Sequence, residues 1–218
     1  NKDPQWVYSR MGQVFGLAID DNEDIYVAAT TIYGKFFVGP NNVTFGSAGA
    51  GGIYKINHLT GAVTDFVKTD VVNTNTVGTN FIYNTGSGLG NICYDRANKQ
   101  FFATNFSDGK IYRISAAGIV LSTYDHPGSG TFPSSDATYV ALGDRPYGIQ
   151  INPTNGRLYY TVWREDLGRS SNTVSNEVWS IALSGGNFSG AATCEVQIPP
   201  YLNYTASSAP SDLAFSQS

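Results

Sequence analysis

A chain of 218 residues with 41% hydrophobic content can bury one core, or a series of small repeated units that share one. Its net charge of −4 and its 13 scattered Lys and Arg argue against nucleic acid and against an anionic membrane surface as partners, because both need clustered cations. No apolar run reaches the roughly 18 residues of a membrane-spanning helix, so membrane insertion is not expected either.

Only 14% of residues are charged, against about a quarter in an average domain, while Gly, Asn, Ser and Thr are abundant. That balance suits an extracellular or cell-surface β-protein with many turns. The opening NKDPQW has neither an initiator Met nor the pattern of a signal peptide, and is expected to belong to a mature, cut or incomplete chain.

Taken in chain order, QWVYS near the start reads as a stray strand. GLAIDDNEDIYVAAT, from Gly16, reads as strand, Asx-rich turn, strand. GIYKIN (52–57) and then VTDFVK, after the turn HLTGA, add a third and a fourth strand of period two. The rhythm returns in GNICYDRANKQFFAT from Gly90, followed by KIYRIS (110–115) and, after AAG, IVLSTYD. It returns again in GIQINPTNGRLYYTVW (148–163), NEVWSIAL (176–183) and, after SGGN, FSGAATCEVQI. APSDLAFS then starts a fourth copy at Asp212. Taking Gly16, Gly90, Gly148 and Asp212 as equivalent points gives spacings of 74, 58 and 64 residues. Gly, Pro and β-branched residues interrupt every stretch long enough for a helix.

Four antiparallel strands repeated in series predict an all-β chain, a β-propeller of four-stranded antiparallel blades. A β-sandwich would explain the strands but not their recurrence. The expected organisation is one domain over 1–218, with blades at 14–68, 88–125 and 146–199 and a partial blade at 208–218. Propellers close with about 4 to 8 blades, so three and a part predict a fragment of a six- to eight-bladed ring. The remaining blades would come from the same polypeptide or from another chain.

GLAIDDNEDIYVA, GGIYKINHLTGAV and APSDLAFS resemble the blades of NHL, YVTN and gluconolactonase-like (SMP-30) propellers, and propeller segments of large bacterial surface proteins. The resemblance runs over residues 14–216 and is one of blade grammar, which implies fold more than function. In the gluconolactonase-like enzymes Glu, Asn and Asp hold a metal at the axis, just before the Gly that opens each inner strand. Here those positions hold Phe15, Leu89, Tyr147 and Ser211, and aromatic and aliphatic groups do not ligate a divalent ion. The resemblance therefore implies an enzyme only if metal ligands lie outside this stretch.

No catalytic residue, cofactor or metal site is assigned from the sequence. GSAGAGG (46–52) lacks the Lys of a phosphate loop, and His58 and His126 read as turn residues without a nucleophile and carboxylate beside them. The turn Asp20–Asp24 has oxygen ligands but no EF-hand pattern, and reads first as a hairpin turn and second as a Ca²⁺ site. Cys93 and Cys194 read as separate apolar side chains. Four N-x-S/T sequons, at Asn42, Asn105, Asn187 and Asn203, are close to the number chance supplies.

Loop length carries more. The first-to-second and third-to-fourth turns share one end of a blade and hold 3 to 6 residues. The opposite end collects about 21, 3 and 12 residues within blades and about 18, 20 and 9 between them. Aromatic and charged residues in these long connections, Tyr33, Phe36, Phe37, Tyr83, Asp144, Arg145, Tyr147, Trp163 and Arg164, are the expected binding residues for a protein or glycan ligand.

Overall fold

A computed structural model of the chain describes residues 4–30, 47–49, 51–69, 88–105, 108–127, 145–164, 175–199 and 210–216. Among these residues twelve strands form three antiparallel four-stranded sheets. The first holds β1 (Val14–Ile19), β2 (Ile25–Ala29), β3 (Gly52–Ile56) and β4 (Val63–Lys68). The second holds β5 (Leu89–Asp95), β6 (Gln100–Asn105), β7 (Lys110–Ser115) and β8 (Val120–Asp125). The third holds β9 (Arg145–Ile151), β10 (Leu158–Trp163), β11 (Asn176–Ser184) and β12 (Asn187–Ile198).

In every sheet each strand pairs with its neighbour in sequence, and the first strands β1, β5 and β9 lie beside one another. Sheets that meet through their first strands, in series, are blades of a β-propeller, arranged here as an arc of three with residues 210–216 entering a fourth position. QWVYS (5–9), expected as a strand, instead runs into a one-turn helix, α1 (Tyr8–Met11), that takes in its last two residues. Gln5, Trp6 and Arg10 bond to Val63 and Gly61 at the outer edge of β4, so this segment serves as an edge cover rather than a sheet member.

The blades bury their apolar residues against each other. Ala18, Tyr26, Ala28 and Ile53 of the first meet Ile92, Phe101, Ala103 and Ile114 of the second. Cys93, Phe102 and Ile111 on the opposite face of the second blade meet Ile149, Leu158, Tyr160 and Ile181 of the third. β6 lies between two such seams, which explains why QFFATN is buried at every position while the outermost β8 and β12 alternate with solvent.

The structure corrects the register of the repeat by one residue in the second blade. Asp20, Asp95 and Asn152 stand at or directly after the end of the first strand, and each accepts the N–H of the residue two further on, at 2.8, 3.1 and 2.9 Å. Counting back four places from these shared Asx turns makes Asn91, not Gly90, the counterpart of Gly16 and Gly148. The four copies then read GLAID, NICYD, GIQIN and DLAFS, with Asp212 at the same point. A bulge lies beside this point in each complete blade and hides the slip in the sequence.

Candidate functional site

The two ends of the blades differ in what their side chains are free to do. At the short-turn end, residues 20–24, 96–99, 152–157, 57–62, 116–119 and 185–186 connect the strands, and their polar groups serve the fold. Asp20 Oδ1 accepts the N–H groups of Asn22 and Asp24, and Oδ2 accepts the Tyr26 hydroxyl at 3.0 Å. Asp24 pairs with Lys55 Nζ at 2.7 Å and accepts the His58 N–H at 3.0 Å. Burial works to raise the Asp24 carboxyl, but the hydrogen bonds from Lys55 and His58 outweigh it and hold it below its ordinary value. Asp21 ties the first blade to the second through Arg96, Lys99 and the Tyr94 hydroxyl. Among the described residues no group of three or more His, Cys, Asp and Glu is arranged to hold a metal ion.

The opposite end receives the connections 30–51, 69–88, 126–144 and 164–175. Tyr33, Phe36, Phe37, Tyr83 and Asp144 lie outside the described residues. Arg145, Tyr147 and Trp163, expected as surface anchors, are 1%, 0% and 1% exposed. They sit on strands: Arg145 opens β9, ahead of the strand start expected at Gly148, Trp163 closes β10, and the two are paired across the sheet. Tyr147 of the third blade packs on the Phe15 ring of the first, centroids 5.4 Å apart. In this position the three side chains are packed within the fold.

Arg164 is half-exposed. Its backbone N–H donates to Asn176 Oδ1 at 2.9 Å and its guanidinium pairs with Glu177, whose other oxygen accepts the Trp179 indole N–H at 2.9 Å. Beneath this group His126 Nδ1 shares a hydrogen bond of 3.0 Å with the Tyr160 hydroxyl, and its ring stands edge-on to Trp179 at 4.9 Å. Burial pushes His126 down to about 4 and raises the Tyr160 hydroxyl, so both are uncharged at neutral pH. His126 is thus a seam residue between the second and third blades rather than the solvated turn residue expected.

Near the axis, Asn91 Nδ2 donates to Asp212 Oδ1 and to the Ser211 carbonyl, both at 3.2 Å. Sequence reasoning missed this pair and the Arg164, Asn176, Glu177 and Trp179 group; the aligned DLAFS and NICYD carry the one signal that finds the former. Cys93 and Cys194 are free thiols in separate blades, and Cys93 is buried. Of the sequons, Asn105 is wholly buried in β6, which closes it to a glycan in the folded chain, and Asn187 opens β12.

No protein family and no curated protein matches the sequence. Among solved structures, a chain of a nidogen/laminin complex is 16% identical, with a TM-score of 0.46 over 85% of this chain and 49% of that one. The Dos1 propeller is 8% identical, with a TM-score of 0.49 over 86% and 37%. Virginiamycin B lyase from Staphylococcus aureus is 14% identical, with a TM-score of 0.44 over 93% and 45%. The chain spans less than half the length of each of these three structures.

Proposed function

We propose that the chain is a non-catalytic binding or scaffolding part of an extracellular or cell-surface protein, engaging a protein or glycan through the end of the blades that carries the long connections. One observation carries this reading. The turns at one end are short and the acidic and Asx side chains of the strand-closing turns are absorbed in structural hydrogen bonds, while sequence has accumulated at the other end without altering the strands that hold it. Arg164 and the long connections are the contact elements; Arg145, Tyr147 and Trp163 act as their support.

The test is a screen of the purified chain on a glycan array and a panel of secreted proteins. Replacing residues 165–174 by a Gly-Asn turn should abolish or weaken at least tenfold the binding found, whereas Asp21→Ala at the opposite end should leave it unchanged. Binding that survives shortening of each long connection, or that falls equally with Asp21→Ala, overturns the reading.

A further inference from the structure

His126 holds two blades together with a side chain that can take up a charge. It follows directly on β8 of the second blade, at the long-connection end, and both groups it meets belong to the third blade: the Tyr160 hydroxyl of β10, 3.0 Å from Nδ1, and the Trp179 ring of β11, edge-on at 4.9 Å. The residue is 6% exposed. While neutral, the ring is a clasp across the seam.

A proton on that ring would be poorly met. Among the described residues Glu177 of β11 is the carboxylate that draws a proton to it, and Arg164 repels one. Both Glu177 oxygens are already committed, one to the Arg164 guanidinium and the other to the Trp179 indole N–H at 2.9 Å. Asp125 precedes His126 in the chain but is exposed, on the face of β8 turned away from Tyr124 and the third blade. The remaining groups are the Tyr160 and Tyr124 phenols and the Cys194 thiol, which stands opposite Trp179 on β12; none is an anion that could balance an imidazolium.

Only this corner of the structure is built so. Lys68 pairs with Gly52 as Asp125 pairs with Lys110, so Thr69 is the counterpart of His126 at the first seam, and its hydroxyl donates to the Gly51 carbonyl of its own blade at 3.0 Å. Ala103 and Tyr112 hold the places of Tyr160 and Trp179 there. At the short-turn end of the second seam, Gln100 Nε2 donates to the Gly186 carbonyl at 2.9 Å and Arg113 donates to Asn187 Oδ1. Those cross-blade bonds do not depend on the state of His126.

We propose that the seam between the second and third blades is an acid-operated clasp: a proton on His126 drives its ring away from Tyr160 and Trp179 and parts the blades at the long-connection end, while Gln100 and Arg113 hold them at the short-turn end. The device needs no ligand and stands whatever the long connections bind. The closed seam takes the proton near 4 and the open seam near the ordinary 6.5, so the open fraction rises about tenfold for each pH unit lost between these values, about 300-fold in all.

Thiol labelling tests this in a Cys93→Ala, Cys194→Ser background. Val162, at the long-connection end of β10, and Leu158, at its short-turn end, are both buried in this seam, and Val162→Cys and Leu158→Cys place a thiol at each. Labelling by a dithiopyridine is compared at each pH with the same chain unfolded in urea. Protection of the Val162→Cys thiol should fall about tenfold per pH unit from 6.5 to 4 and should not respond to urea below the unfolding transition. The Leu158→Cys thiol should be at least tenfold better protected and should lose protection as urea is added, because global unfolding alone reaches it. His126→Phe and His126→Gln should each remove the pH dependence at Val162→Cys. Protection there that is independent of pH, that matches Leu158→Cys in size and in urea response, or that falls as steeply in the His126 variants overturns the proposal.

Discussion

Glycine at 16 and at 148 is required by its neighbour rather than by its own backbone. A Cβ on Gly16 would lie 2.8 Å from Asn91 Cα, and one on Gly148 would lie 2.9 Å from the Asp212 nitrogen, and backbone cannot yield as a side-chain tip does. Gly148→Ala should therefore lower stability by about 2 to 3 kcal/mol, by overpacking. Gly156→Ala, where nothing lies within 4 Å but φ is +68°, should cost about 1 kcal/mol through its left-handed backbone alone. Chemical denaturation orders the two, and the reverse order would place the close approach elsewhere. His126 supplies a pH dependence. The unfolded chain takes up its proton near the ordinary 6.5 and the folded chain only near 4, so the folded state binds fewer protons between these values. Stability is full above pH 6.5 and falls as pH drops through that window, by about 3 kcal/mol in total at about 1.4 per pH unit. Thermal midpoints from neutral to acid pH should fall less steeply for His126→Gln than for the native chain; equal slopes would assign the acid loss to the carboxylates, Asp24 among them.

At the scale of the element, one hydroxyl joins neighbouring inner strands at the second–third seam and one at the seam with residues 210–216. Thr104 Oγ1 accepts the Asn91 N–H at 2.9 Å and donates to the Tyr147 carbonyl at 2.6 Å. Thr161 accepts the Gly148 N–H at 2.7 Å and donates to the Pro210 carbonyl. The first blade has Ala28 in this place, opposite Ile53 as Thr104 is opposite Ile111, so it lacks the link. Thr104→Val keeps the shape and leaves a buried donor and a buried acceptor unmet, which should cost about 2 kcal/mol, whereas Ala28→Ser should gain no comparable amount without a matching pair of groups. Blade order was legible in the sequence because Gly-opened strands and Asx turns recur. Register was not, because Gly90 and Asn91 sit in a bulge between the paired Leu89 and Ile92 and Asn91 fills the place of a glycine, so a match on Gly selects the wrong neighbour. Side-chain direction was equally hidden: Arg145 and Trp163 have the composition of loop anchors, but they face each other at the ends of β9 and β10 and are buried in the sheet.

For the whole molecule, stability resides in seams between consecutive blades, an arrangement in which each unit depends on its nearest neighbours. The expected contact surface was legible only as a difference in connection length, since length is counted in sequence while the placement of a loop residue depends on packing far away in the chain. Phe101 and Phe102 make the seams separately addressable. They are adjacent, both wholly buried, and point in opposite directions. Phe101 packs on Tyr26 and Phe66 of the first blade, centroids 4.3 and 5.3 Å away, and Phe102 packs on Phe188 of the third at 5.4 Å. Either Phe→Ala should cost about 3 to 5 kcal/mol. Their signatures should differ. Trp163 and Trp179 both lie in the third blade, so in a Trp6→Phe background tryptophan emission reports on that blade while circular dichroism reports on all three. Phe101→Ala should release the first blade early, moving the dichroism transition to lower denaturant than the emission transition. Phe102→Ala should cut the third blade loose and bring the emission change forward instead. Coincident transitions in both variants would mean that the three blades unfold as one unit, with the two seams coupled through β6.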